Sequence, residues 1–195
     1  MNPFKKLLGQ TAIYGLSSVV GRLLNYLLVP LYTRYFLPEE YAIVVELYAY
    51  VAFLVIILTY GIETAFFRFT NTTADIKSVY STALFSVITT SCIFIALIFV
   101  YSSSLSNLLG SEILTEYIQW FAIIVSFDAI SSIPFARLRK RERALQFSLT
   151  KLINISTNIG LNLYFIVYKG FGIEYIFISN LVASIVTLLL LTPEM

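Results

Sequence analysis

The sequence predicts an all-α integral membrane protein with six transmembrane helices. Three observations carry this reading. The chain is 58% hydrophobic and only 12% charged, its mean hydropathy is +0.84, and its apolar runs are long enough to cross hydrocarbon. A water-soluble chain of 195 residues exposes too much surface to tolerate that balance. Backbone in lipid must satisfy its own hydrogen bonds, so each run is expected to be a helix. The alternating stretches of about ten residues that mark a transmembrane β-barrel are absent.

Taken in order, the predicted helices cover 11–36, 41–64, 79–101, 117–135, 148–168 and 175–191. Polar or turn-rich linkers separate them: LPEE (37–40), TNTTADIK (70–77), SSSLSNLLGSE (102–112), RLRKRER (137–143) and KGFG (169–172). The first run follows Lys5 and Lys6 but is too long for a secretory signal and lacks a small-residue cleavage site. It is therefore read as a retained helix. The expected organisation is one bundle over residues 1–195.

Lysine and arginine set the orientation. With the amino terminus inside, Lys5, Lys6, Arg68, Lys77, Arg137, Arg139, Lys140, Arg141, Arg143 and Lys151 fall on the cytoplasmic side. Only Arg34 and Lys169 fall outside, and Arg22 lies within the membrane. The positive-inside rule then predicts a multi-pass protein with both ends cytoplasmic. RLRKRER is read first as a topology anchor, with an anionic-lipid or nucleic-acid site as the alternative. Aromatic residues reach 16%, and the many tyrosines suit membrane interfaces.

Several chemistries are excluded. The absence of histidine removes the commonest general base and the commonest metal ligand. The single cysteine, Cys92, excludes an intrachain disulfide framework. No phosphate-cradling glycine loop, metal-ligand spacing or nucleophile with a base is present. An enzyme is not expected, and no cofactor or metal is implied.

Polar groups inside the predicted helices are the candidates for function. Arg22 lies near mid-depth, about 16 Å into the first helix, and Asn25 shares its face. A charge there costs a few kcal/mol at least and faces a bundle interior or a hydrated cavity by default. Ser17 and Gly21 give the same helix a small-residue edge. Pro30 withholds an amide from the carbonyl of Tyr26, so a kink is expected around 26–30. Asp128 sits at similar depth in the fourth helix, followed by Pro134, which frees the carbonyl of Ile130. Lys151, Asn154, Asn158 and Asn162 draw one polar stripe down the fifth helix. Glu46 lies level with Arg34, Glu63 lies near the other end of the second helix, and Asn180, Ser184 and Thr187 share one side of the sixth. These groups fit a hydrated cavity for a polar, anionic cargo. The alternative is an Arg22–Asp128 pair with asparagines joining helices, and the cost of burying Arg22 favours the cavity for that residue.

The run LLNYLLVPLYTRYFLPEEYAIVVELYAYVAFLVIILTYGIETAFFRF (23–69) resembles the polysaccharide and oligosaccharide flippases, the O-antigen translocase-like branch of the multidrug/oligosaccharidyl-lipid/polysaccharide exporter superfamily. The matching elements are Pro30 to Arg34, Pro38 to Tyr41, and Gly61, Glu63, Ala65 and Arg68. IPFARLRKRERALQFSLTKLINI (133–155) is similar to the family's loop into its fifth helix. Ala42 departs from the pattern, which has glycine there.

The resemblance implies a two-lobed transporter whose bundles rock around a central cavity. It also implies a cargo of undecaprenyl-diphosphate-linked oligosaccharide, moved across a bacterial cytoplasmic membrane for surface polysaccharide or lipopolysaccharide assembly. On this reading Arg22 and Arg34 contact the diphosphate. Asn25, Asn154, Asn158 and Asn162 face the glycan or the cavity. Asp128, Glu46 and Glu63 are ion-pair or coupling-ion groups, and Pro30 and Pro134 are hinges. Expected partners are the lipid-linked oligosaccharide and membrane lipids, with no nucleic acid. Six helices make up the amino-terminal lobe alone, so a carboxy-terminal bundle of six or more helices, or a second copy, is expected for transport. The alternatives are a cation-coupled multidrug exporter of the same superfamily and a non-transporting membrane scaffold.

Overall fold

A computed structural model describes residues 15–16, 19–21, 23–24, 26–72, 75–108 and 114–194. All regular structure among them is helical. Four helical stretches are long and apolar enough to cross a membrane: Pro38–Thr72, Ile76–Leu108, Thr115–Lys140 and Glu174–Glu194. The expected first span lies partly outside the described residues, and the fifth carries the polar stripe that lowers its hydropathy.

Helix α1, Leu28–Tyr35, follows an interruption at Leu27, three residues before Pro30. The chain then turns into α2, Pro38–Thr59. LPEE starts this helix for physical reasons. Pro38 occupies the first helical position, where no amide partner is needed. Glu39 and Glu40 complement the positive end of the helix dipole. Glu40 Oε2 also accepts a 3.1 Å bond from the Leu37 amide.

The second predicted span, 41–64, is broken. Tyr60 closes α2 in the left-handed region at φ 33°, Gly61 follows at φ 73°, and a separate α3 runs Ile62–Thr72. Glycine accepts such a φ readily, and the Tyr60 hydroxyl is tied to Ser86 on the next helix.

Helix α4 spans Ile76–Leu108, longer than predicted at both ends. Asp75 starts it, accepting a 3.0 Å bond from the Ser78 amide. At the far end the serine run continues the helix instead of ending it. Ser102 and Ser106, one turn apart, are buried, and Gln119 Nε2 donates to Ser102 Oγ at 3.0 Å. Small residues here let α4 lie close against α5.

Helix α5, Leu114–Lys140, is the centre of the bundle. In its membrane-crossing window 67% is buried, against 17% for α4. Val125, Ala129, Ile133 and Ala136 are fully buried, and Pro134 stands inside the helix. RLRKRER is not a free linker, because Arg137 to Lys140 form the last turn of α5, where cations favour the dipole's negative end. The turn closes through Glu142 at φ 54°, with the Arg143 amide bonded to the Leu138 carbonyl at 3.0 Å.

Helix α6, Ala144–Asn162, continues as a π-helix over Leu163–Tyr168. Helix α7, Glu174–Leu191, ends in a 3₁₀ turn at Thr192–Glu194. The core gathers α2, α5 and α7 through Tyr48, Phe121 and Phe177, with Tyr48 and Phe177 stacked at 6.1 Å. Phe53, Ile56 and Ile57 on α2, and Phe85, Ile93 and Val100 on α4, face outward. Such surfaces suit lipid and would be a liability in water.

Candidate functional site

Two cavities of about 440 Å³ each meet at Asp128 and Asn154, which line both. Together they make a polar cleft between α2, α5, α6 and α7. The upper chamber carries Tyr32, Tyr41, Tyr48, Asn158 and Asn180. The lower chamber, toward the basic end of the bundle, carries Glu63, Ser131, Arg139, Lys151 and Thr187.

Helical spacing explains the convergence. Lys151, Asn154 and Asn158 follow one face of α6, while Asn180, Ser184 and Thr187 follow one face of α7. The two faces meet side chain to side chain. Asn154 Nδ2 donates to Thr187 Oγ1 at 2.8 Å and to the Ala183 carbonyl at 3.0 Å. Ser184 Oγ donates to Asp128 Oδ1 at 2.9 Å. Asn180 Nδ2 donates to the Tyr48 hydroxyl. Asp128 keeps accessible surface because the cleft, and not packed side chains, lies before it.

Charge is unevenly distributed along the cleft. Among the described residues lining the upper chamber, Asp128 is the charged one, and the rest are tyrosines, amides and aliphatics. The lower chamber holds two cations. Arg139 Nη2 is 2.6 Å from Glu63 Oε1. Lys151 Nζ stands 4.5 Å from the centre of the Phe135 ring and interacts electrostatically with Asp128, which lines the same chamber. The lower chamber sets Arg139 and Lys151 against Glu63 and Asp128, so it can hold an anion that bridges the two cations in competition with those carboxylates. The upper one can hold a neutral polyhydroxylated group against amides and aromatic faces.

The predicted site residues divide accordingly. Asp128, Asn154, Asn158 and Glu63 come together in the cleft. Asn162 does not line it. That residue is fully buried, takes a 2.9 Å bond from the Tyr32 hydroxyl, and donates to Asn158. Glu46 lines a separate surface pocket with Thr33, Phe36, Pro38 and Tyr41. Arg34 is exposed on the last turn of α1, outside both chambers. Pro30 is exposed in α1, and Pro134 is buried in α5. Arg22 and Asn25, with the Arg22–Asp128 pairing, lie outside the described residues.

Sequence reasoning missed three features. It read Arg139 as part of a topology anchor, whereas the helix carries that side chain into the lower chamber; its place two turns beyond Ser131 and Ser132 was the available signal. It gave no role to Tyr32 and Tyr48. It also missed the surroundings of Glu194, which is buried and ion-paired to Arg141 Nη1 at 2.9 Å and Arg143 Nη1 at 2.5 Å. The Glu194 carbonyl also accepts a bond from Arg137. A wider groove of about 790 Å³ on α4 lies outside both chambers and touches the basic end only through Tyr80, over whose ring Arg137 stands at 4.3 Å. Its Thr89 and Thr90 hydroxyls bond their own helix.

No curated protein and no solved structure matches the chain significantly. Residues 31–194, which hold the lower chamber, all of the upper chamber's lining but Leu28, and the Pro38–Tyr41 and Gly61–Arg68 elements, match the family described as polysaccharide biosynthesis protein. The resemblance carried by those elements thus extends over most of the sequence, and the chain belongs to the polysaccharide biosynthesis protein family.

Proposed function

We propose that this protein is a flippase that moves a lipid-linked oligosaccharide, carried on undecaprenyl diphosphate, across the bacterial cytoplasmic membrane by alternating access. The observation that carries the reading is the two-chambered cleft joined at Asp128 and Asn154. A lipid-diphosphate-sugar has an anionic segment next to a hydroxyl-rich one, and the cleft offers cations beside amides and tyrosines in the same order. Arg139 and Lys151 would contact the diphosphate, with Arg34 and Arg22 as further stations along the path. Asn154, Asn158, Asn180 and Tyr48 would bond sugar hydroxyls. Rocking of this bundle against a second one, from a carboxy-terminal half or another copy, would expose the cleft to each side in turn. The basic end of the bundle is assigned to the cytoplasm by the positive-inside rule.

The test is surface glycan assembly in cells that depend on this protein, comparing Lys151→Ala with Lys151→Arg at matched membrane levels. Loss of a charge-assisted bond to phosphate should slow export by about tenfold or more, and arginine should restore most of it. Unchanged assembly in Lys151→Ala would remove the diphosphate contact.

A second reading is favoured by one observation. Asp128 presents a carboxylate to both chambers and is held there by Ser184. That group suits a coupling cation or proton, as in a cation-driven exporter. Export that persists after the ion gradient is collapsed would remove this role without touching the cargo path.

A further inference from the structure

Arg139 reaches from the central helix to two others at the mouth of the lower chamber. Its guanidinium pairs with Glu63 at 2.6 Å. The same guanidinium lies 5.7 Å from the ring centre of Phe67 and 5.8 Å from that of Phe147. Glu63 and Phe67 belong to α3, and Phe147 belongs to α6. A residue of α5 thus pins α3 beside the cavity.

Helix α3 is a separate helical element. Tyr60 at φ 33° and Gly61 at φ 73° divide it from α2. Residues at such a break can absorb a backbone rotation that a continuous helix cannot. The middle of α3 is seated by Phe66, 1% exposed and 6.1 Å from the Tyr80 ring of α4, and its far end is held by an exposed bond from Lys140 to Asn71, so the pivot turns about this seat.

The pin is also weak and incompletely used. The two side chains of the Glu63–Arg139 pair are 38% and 36% exposed, and a pair this wet contributes little net stability. Arg139 Nε is buried without a hydrogen-bond partner among the described residues. A guanidinium offers five donors in a fixed fork and binds phosphate in two-pronged fashion. Lys151 lines the same chamber, where its ammonium interacts electrostatically with Asp128 and has no close ion pair among the described residues. A phosphoryl group bridging both cations offers Arg139 two-pronged acceptance and reaches Lys151 as well, whereas Glu63 meets Arg139 alone and Asp128 faces Lys151.

We infer that Glu63 is an exchangeable latch: a phosphoryl anion entering the lower chamber takes Arg139 from Glu63 and releases α3 to pivot about Tyr60–Gly61. The inference rests on the lower chamber being an anion site and adds how that site is regulated. The same chemistry comes from a diphosphate cargo or from an anionic lipid headgroup.

The experiment uses the full chain with Cys92→Ser, spin-labelled at Phe69→Cys on α3 and Leu145→Cys on α6, both exposed positions. It is held in phosphatidylcholine nanodiscs and titrated with inorganic pyrophosphate, reading both the label distance and the dissociation constant. Pyrophosphate should shift the distance. Glu63→Gln should show the shifted distance without it and bind pyrophosphate about fivefold tighter or more, because the competing carboxylate is gone. Glu63→Asp, too short to reach Arg139, should move both readouts the same way. A shift caused by phosphatidylglycerol nanodiscs alone also supports the latch and identifies the lipid headgroup as the anion. Pyrophosphate binding that is lost in Lys151→Ala but leaves the distance unmoved, or that weakens in Glu63→Gln, overturns the latch while the anion site stands. No binding to any variant overturns both.

Discussion

Tyr32 on α1 donates a 2.9 Å hydrogen bond to Asn162 at the end of α6, across 130 positions of sequence. The bond is buried, and it seats the first described helix against the point where α6 becomes a π-helix. Tyr32 also meets Tyr41 at 5.7 Å, so one side chain closes the upper end of the cleft. Asn162 in turn fixes Asn158, which faces the cavity.

Tyr32→Phe keeps the ring and removes the donor. It is expected to lower stability by about 0.6–2 kcal/mol, the range for interhelical bonds in membranes and for a buried acceptor left unpaired. Thermal unfolding in detergent micelles measures it. Asn162→Ala should cost more, because Tyr32 and Asn158 both lose a partner, and a loss smaller than that of Tyr32→Phe would contradict this arrangement.

Glu194 draws Arg141 and Arg143 together between the α5–α6 turn and the end of α7. The carboxylate is buried while the two arginines remain about half exposed. Glu194→Gln is expected to destabilise the protein by about 1–3 kcal/mol, between the values for exposed and buried pairs. Raising salt to about 1 M should narrow the gap between wild type and variant, since it screens the exposed side of the pairs. An equal gap at both salt concentrations would assign the effect to packing.

Two glycines should respond in opposite ways. Gly61 has φ 73° and open space where a Cβ would stand, so Gly61→Ala is expected to cost about 1 kcal/mol from backbone strain alone. Gly160 sits inside α6 with equally open space and no positive φ, so Gly160→Ala should gain roughly 0.5–1 kcal/mol. Chemical or thermal unfolding of both variants checks the pair, and equal signs would contradict the break between α2 and α3.

Apolar length made most helices legible, and helical spacing made the facing stripes of α6 and α7 legible. The family elements at 30–41 and 61–68 were legible as well. The errors share a cause: residues that end structures in water do other things inside a bundle. The serine run at 102–106 reads as a loop, yet Ser102 and Ser106 are buried helix contacts. Arg137 to Lys140 read as a charged linker, yet they complete α5. Tyr60 in a left-handed conformation gives no periodic signal, so the break in the second span was invisible. Pairings between distant residues, Arg139 with Glu63 and Glu194 with the arginines, depend on how helices dock and have no local signature.

Asp128→Asn preserves the shape that accepts the Ser184 bond while removing the charge. If Asp128 couples an ion to movement, surface glycan assembly should fall by about tenfold, equivalent to ~1.4 kcal/mol of lost coupling. Thermal stability should change little. Assembly at the wild-type rate would reduce Asp128 to a helix-joining acceptor.

Thiol accessibility along the cleft tests the hydrated two-chambered path most directly. In the Cys92→Ser background, cysteines at Lys151, Asn158 and Asn162 are exposed in intact cells and in inverted vesicles to a membrane-impermeant reagent. Lys151→Cys and Asn158→Cys, which line the lower and upper chambers, should label from at least one side, and labelling should block glycan export. Asn162→Cys, fully buried, should not label. Failure of both Lys151→Cys and Asn158→Cys to label from either side would mean a dry helix interface and would contradict the cargo path.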